Sequence, residues 1–327
     1  MVLSIIIPVY KVEDYVGHCL RSILEAGGAS PDHYEVIVVN DGTTDCSMTV
    51  VRDVCRGHGN VIIIEQENQG LSAARMAGLA RANGDYVWFV DSDDWLEDGG
   101  VQLILNYLNN CCDTPVLMIP LHWRYDDVSL NHTDILLSAS QHFKGNDVLR
   151  KEMFPISAAQ RYITKRSLFS DSFIRFPIGL IHEDEYFGRA LLYQAKSVFV
   201  LSESPYCYRQ RIGSIMNSRS ARSAYDILEI YDLLLEYMRQ RVLPTDYNWF
   251  HKQAFNLIQY GYTQLAISND PIEFRRFKKK QLSFIMSEYN KTHREVSNWT
   301  MFVEKAILRF PRLYAYLSPI YLSLKNK

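Results

Sequence analysis

The chain has 327 residues, 47% of them apolar and 22% charged, enough to bury a large core in one large or two modest domains and far from a disordered or collagen-like composition. A formal net charge of -2 gives the molecule as a whole no electrostatic claim on nucleic acid, although residues 271–327 hold twelve Lys and Arg against four Glu. Six cysteines without C-x-x-C spacing, with the adjacent Cys111 and Cys112 poorly placed for a mutual disulfide, fit a reducing cytoplasm, and no uncharged apolar run approaches the ~18 residues of a membrane span.

The opening MVLSIIIPVY lacks a basic start and a small-residue cleavage site, so its β-branched run reads as a strand closed by Pro8, not as a secretory leader. Val16, Cys19, Leu20, Ile23 and Leu24 then recur at helical spacing up to Gly27-Gly28. YEVIVVN is a second strand. Thr43, Thr44 and Asp45 offer cap oxygens to a helix carrying Val50, Val51, Val54 and Cys55, and VIIIEQ is a third strand. After ENQG, Leu71, Ala74, Ala77 or Gly78, and Arg81 keep helical spacing, and DYVWFV supplies a fourth strand. Near-continuous apolar strands alternating with helices define an α/β fold, a mostly parallel sheet with helices on both faces. In such sheets ligands sit beyond the carboxyl ends of the strands, where Asp41 and the run Asp91, Asp93 and Asp94 gather.

Beyond residue 100 the pattern is mixed. LHWRYDD reads as an edge strand, and SAAQRYITKRSLF as a helix or strand near the site. Residues 222–240 read as an amphipathic helix with Leu228, Tyr231, Leu235 and Met238 in one stripe, with more helix to follow.

Two acidic centres carry chemistry. In YVWFVDSDDWLEDGG a buried strand runs directly into acids, and the period of two places Asp91 and Asp93 on one face, where they repel. A helix beginning near Glu97 accounts for one or two of them as caps. The whole cluster is better explained by a hard divalent cation, Mg2+ or Mn2+, which takes carboxylate oxygens and keeps positions for phosphate. The second centre is GLIHEDEYFGRALL, residues 179–192, whose acids stand in the first turn of a helix with Phe187, Ala190 and Leu191 on one face. Acids there are favourable whatever their function.

SIIIPVYKVEDYV, VIVVNDGTTD, ENQGLSAAR and FVDSDDW, in this order and spacing, resemble the N-terminal half of a family 2 glycosyltransferase with the GT-A fold, of the bacterial surface-polysaccharide type. The likeness covers residues 3 to roughly 217. It implies a Rossmann-like catalytic domain over 1–217, with a nucleotide-sugar half at about 1–100 and an acceptor half at about 101–217, and a helical C-terminal region over 218–327.

The resemblance also implies roles. Asp91 and Asp93, with Asp94 as a further candidate, hold the metal on the donor diphosphate. Pro8, Val9, Tyr10 and Asp41 bind the base, although Asp-Gly is also an ordinary turn pair. Asn68, Gly70, Arg75 and Ser92 lie near the nucleotide, with pairing to Asp41 as the other use for Arg75. Arg209 and Arg211 of YCYRQRIGSIMN offset phosphate charge, and in Glu183-Asp184 the base is Asp184. The sequence departs from the family pattern at Met76, where Asn is usual, and at His182, where an aromatic commonly stands.

The implied reaction is an inverting, metal-dependent transfer of a sugar from a nucleotide diphosphate sugar, most simply a UDP-sugar, to a hydroxyl of a glycan or lipid-linked glycan. Two rivals stand beside it: a phosphatase with Asp91 as nucleophile, and a non-catalytic nucleotide-sugar-binding protein. The tail, FRRFKKKQLSF and AILRFPRLYAYLSPIYLSLKNK, suits the anionic inner face of the cell membrane, with self-association or docking as the alternatives.

Overall fold

The computed structural model describes residues 1–110, 114–134, 136–153, 155–210 and 221–267; Arg211, Cys111, Cys112 and the basic tail lie outside them. The chain divides into two compact units, Met1–Ile212 and Gly213–Lys327.

The first unit opens with β1 (Leu3–Val9), α1 (Val16–Leu24), β2 (Tyr34–Asp41), α2 (Ser47–Val54), β3 (Val61–Gln66), α3 (Leu71–Arg81) and β4 (Tyr86–Phe89). All seven residues of β1 are buried, as a strand covered on both faces requires. The Asp45 carboxylate accepts from the backbone N–H and the hydroxyl of Ser47 and so ties the start of α2. Gly78 lets α3 lie directly on the sheet, because a Cβ there would stand 2.4 Å from a methyl of Ile6.

β5 (Trp95–Leu96), α4 (Gly100–Asn110), β6 (Val116–Met118), β7 (His122–Tyr125), β8 (His132–Thr133), β9 (Gln141–Phe143), α5 (Gly145–Arg150), β10 (Tyr162–Lys165), α6 (Glu183–Gln194), β11 (Val198–Val200) and β12 (Tyr206–Gln210) complete the unit. Among the described residues they form an eight-stranded sheet in the order β3-β2-β1-β4-β10-β6-β11-β9 and a four-stranded sheet in the order β5-β12-β7-β8. β3, β2, β1 and β4 are parallel, so the chain segments following β1, β2 and β4 emerge at one edge of the sheet. β10 enters antiparallel between β4 and β6.

Two expectations for this unit change. LHWRYDD is not an edge strand: β7 lies inside the small sheet, parallel to β12 and antiparallel to β8. The helix after the acids starts at Gly100, not near Glu97, because Trp95 and Leu96 pair with β12 and are thereby held extended. SAAQRYITKRSLF, read as a helix or strand near the site, is a strand, β10, entered through a short 3-10 turn.

The second unit contains α7 (Ala221–Arg241) and α8 (Tyr247–Ile267), joined through Tyr231, whose hydroxyl lies 2.8 Å from His251 Nε2. The buried stripe of α7 is Ala224, Ile227, Ile230, Tyr231, Leu234 and Tyr237. It is rotated from the one expected, leaving Leu228, Leu235 and Met238 half-buried, since Tyr231 and Tyr237 face the α8 aromatics His251 and Phe250. No helix among the described residues is long and apolar enough to cross a membrane.

Candidate active site

Strand β4 ends at Phe89, and the chain turns at once. Asp94 N donates to Asp91 O, which curls the D-S-D-D segment so that one carboxylate oxygen each of Asp91, Asp93 and Asp94 lie within 4.8 Å of one another. Such crowding of like charge is costly without a cation. Asp93 is only partly buried, and the all-carboxylate oxygen set fits a hard divalent ion.

The three acids are held differently. Asp94 is buried: Tyr206 Oη donates to its Oδ2 at 2.5 Å, and Arg209 N donates to its Oδ1 at 2.8 Å. Burial, then the charges of Asp93 and Asp91, push its carboxyl well above the usual range. Asp91 has both oxygens engaged, Oδ1 by Arg75 NH2 at 2.8 Å and Oδ2 by the amide nitrogen of Gln160. Asp93 is fixed through its backbone, whose carbonyl accepts from Arg209 Nε at 2.7 Å. The Arg209 guanidinium lies over Trp95 at 4.5 Å and over Tyr15 at 5.2 Å, a stacked placement that fixes a cation beside the acids. Ser92 is buried between them.

Arg75 joins the two acidic centres. Projecting from α3, it is 2% exposed and donates from NH2 to Asp91 and from NH1 to Glu183 Oε1 at 2.6 Å. Burial works against its charge, but Asp91 and Glu183 outweigh that and raise its pKa further. The alternative pairing with Asp41 is not formed. Asp41 accepts instead from Gln66 Nε2 at 2.7 Å and from the backbone N–H of Gln69 and Gly70, both at 2.8 Å, while Asn68 Nδ2 donates to its carbonyl. Asp41, Asn68 and Gly70 thus form one built turn leading into α3. Beside it, Pro8 and Val9 are buried at the end of β1 and Tyr10 is 42% exposed. Met76 lies half-buried on α3.

The second centre begins at His182, whose φ of 67° is left-handed, a region that costs a non-glycine residue energy and that His enters more readily than most. Glu183 turns to Arg75. Asp184 Oδ2 accepts from Ala158 N at 2.8 Å, and burial, then Glu183 and Glu185, raise its pKa to about 7. Glu185 is held low: against burial, Arg189 and the Ser157 hydroxyl favour its ionised form. One of three consecutive acids is thereby tuned to exchange a proton near neutrality.

Sequence reasoning missed Ala158, Gln160 and Tyr206, each of which touches a carboxylate of the site. Tyr206 was within reach, since it alternates with Tyr208 along β12. A backbone N–H and one glutamine in SAAQR carry no spacing signal.

The match to the family model for Glycosyl transferase family 2 spans residues 4–169, and the chain belongs to that family. It is 27% identical over 289 residues to the glycosyltransferase GlyA of Streptococcus pneumoniae serotype 4, covering 85% of this chain and 40% of GlyA. It is 28% identical over 224 residues to a poly(ribitol-phosphate) beta-glucosyltransferase of Bacillus spizizenii, covering 64% of this chain and 32% of that one. The chain therefore spans less than half the length of these two relatives. Among solved structures, residues 1–349 of S. aureus TarS in complex with UDP-GlcNAc superpose with a TM-score of 0.60 at 20% identity, over 89% of this chain and 90% of that one. The fold is GT-A.

Proposed function

We propose that the protein is an inverting, metal-dependent glycosyltransferase that moves a sugar from a UDP-sugar to a hydroxyl of a glycan or lipid-linked glycan in surface-polysaccharide synthesis. The observation that carries this reading is the single buried guanidinium of Arg75, bonded at once to Asp91 and Glu183. It ties Asp91, from the cluster that suits a metal-bound diphosphate, to Glu183, the chain neighbour of the proposed base Asp184. Asp91 and Asp93, with Asp94 as a further candidate, would hold a Mn2+ or Mg2+, which when bound would supply positive charge to the leaving diphosphate. Arg209 adds to that charge, and Asp184 takes the proton of the acceptor hydroxyl as the new bond forms. Inversion follows from one in-line displacement.

The base-binding roles of Pro8, Val9, Tyr10 and Asp41, and the nucleotide contacts of Asn68, Gly70 and Ser92, are supported by their position at the carboxyl ends of parallel strands. Binding of UDP-GlcNAc by TarS supports the donor class, and the ribitol-phosphate polymer acted on by the Bacillus relative supports a surface-polymer acceptor. A cytoplasmic location, at the inner face of the cell membrane, is part of the same proposal. The phosphatase reading is not favoured, since the family model that the chain matches over residues 4–169 is that of a glycosyl transferase. A panel of nucleotide-sugars scored for released nucleoside diphosphate, with and without EDTA, tests the proposal. UDP release that stops on chelation is expected; no release from any donor overturns it.

A further inference from the structure

The segment Ser157–Arg161 touches both acidic centres, yet no residue in it belongs to the acid motifs. Ser157 Oγ donates to Glu185, Ala158 N donates to Asp184, and Gln160 Nε2 donates to Asp91. The segment is itself clamped. Gly188 of α6 lies so close that a Cβ there would stand 2.6 Å from Ile156 O, Tyr162 Oη donates to the same carbonyl at 2.6 Å, and Trp88 Nε1 donates to Gln160 O at 2.9 Å.

Local costs collect here. Ala158 has φ 88°, a left-handed value that alanine avoids. Gln160 is 4% exposed, and its side-chain oxygen is buried with no hydrogen-bond partner. The orientation of that amide is fixed, since turning it over would set the oxygen against an Asp91 oxygen, acceptor facing acceptor. A side chain retained for packing alone would be apolar at such a position, because a buried acceptor without a donor is destabilising. The half-used amide is explained by what its other half holds.

We propose that Gln160 is a positioning residue for glycosyl transfer, fixing the Asp91 carboxylate to the same short segment whose backbone fixes Asp184. With Arg75 and Glu183 it closes a ring: Asp91 to Arg75, Arg75 to Glu183, Glu183 along the chain to Asp184, Asp184 to Ala158, and Ala158 along the chain to Gln160 and back to Asp91. The ring sets the distance between Asp91 and Asp184 by two independent paths. This inference rests on the roles given above to Asp91 and Asp184.

The test compares Asp91→Asn, Gln160→Met and Gln160→Glu with the parent. It reads kcat and donor KM with the donor that the panel selects, UDP binding with Mn2+ by calorimetry, and Tm. Methionine keeps the length of glutamine, drops the orphaned oxygen and removes the donor to Asp91. Gln160→Met is expected to keep its Tm, UDP affinity and KM while kcat falls at least about tenfold, as misplacement of a reacting group does. Gln160→Glu keeps the shape and replaces the donor by an acceptor, so its kcat falls at least as far, and it decides the matter if the methionine variant does not fold. A Tm loss with kcat intact, or parental kcat in either folded variant while Asp91→Asn is inactive, overturns the role of Gln160. Full activity of Asp91→Asn overturns instead the reading of the acids beneath it.

Discussion

Arg75 and Glu183 are bonded at 2.6 Å although 108 residues of chain separate them. The guanidinium comes from the helix before β4 and the carboxylate from the helix after β10, so the pair forms only when both halves of the catalytic unit are in place. Asp91 shares the same guanidinium, with side chains 2%, 11% and 21% exposed for Arg75, Glu183 and Asp91. Arg75→Met removes one cation from between two largely buried acids and should cost about 3–5 kcal/mol of stability. Arg75→Lys should recover only part of this, because an ammonium cannot reproduce the two-armed fork. Chemical denaturation of both variants checks the order.

If Asp91 and Asp93 serve a metal-bound diphosphate, Asp91→Ala and Asp93→Ala should abolish transfer and weaken UDP binding while far-UV circular dichroism stays that of the parent. Calorimetry with and without Mn2+ reads the loss. Activity of both variants in EDTA equal to that of the parent is the contrary outcome.

Asp184→Asn keeps size and can still accept from Ala158 N, but it is not basic. It should bind UDP and Mn2+ like the parent and transfer sugar at least ~100-fold more slowly, the usual worth of a positioned base. With the Asp184 pKa at about 7, parental turnover should rise with pH and reach half its plateau near neutrality. The stability sign is opposite. A carboxyl whose folded pKa lies above its ordinary value of 3.8 binds its proton more tightly in the folded state. Its contribution is therefore complete below about pH 4 and lost as pH rises through about 7. Relative to the parent, Asp184→Asn should thus gain stability across that window, as thermal melts at pH 4 and pH 8 would register.

The basic tail yields a separate expectation. The 327-residue chain should sediment with anionic vesicles at low salt, and deletion of residues 271–327 should lower the bound fraction. Absence of binding by the intact protein removes the membrane from the picture.

The strands and helices up to Phe89 were legible because each repeats one period without interruption, and the two acidic centres because charge stands directly against buried apolar residues. The second half resisted for physical reasons. β6, β9 and β11 have three residues each, too few to show a period, and β10 is defined by its neighbours β4 and β6 more than by its own residues. The partner of Arg75 was not legible for a related reason. Asp41 lies close in sequence, whereas Glu183 is brought near only by the insertion of β10. The metal set was visible as acids, but which oxygens are already engaged depends on Tyr206, Arg209 and Gln160, from distant strands and turns.

The place of β10 in the large sheet bears on how the polypeptide comes off the ribosome. Until residue 165 has emerged, β4 has an unpaired edge along Trp88 and Val87, the residues that later pair with Ile163 and Thr164. Arg75 meanwhile waits beside Asp91 with no Glu183. An open, apolar strand edge is a template for pairing with another chain. The first hundred residues, although they resemble a self-sufficient nucleotide-binding half, are therefore a nascent intermediate in need of shelter, and shortened gene products ending before β10 should accumulate as aggregates and not as small soluble binders of nucleotide.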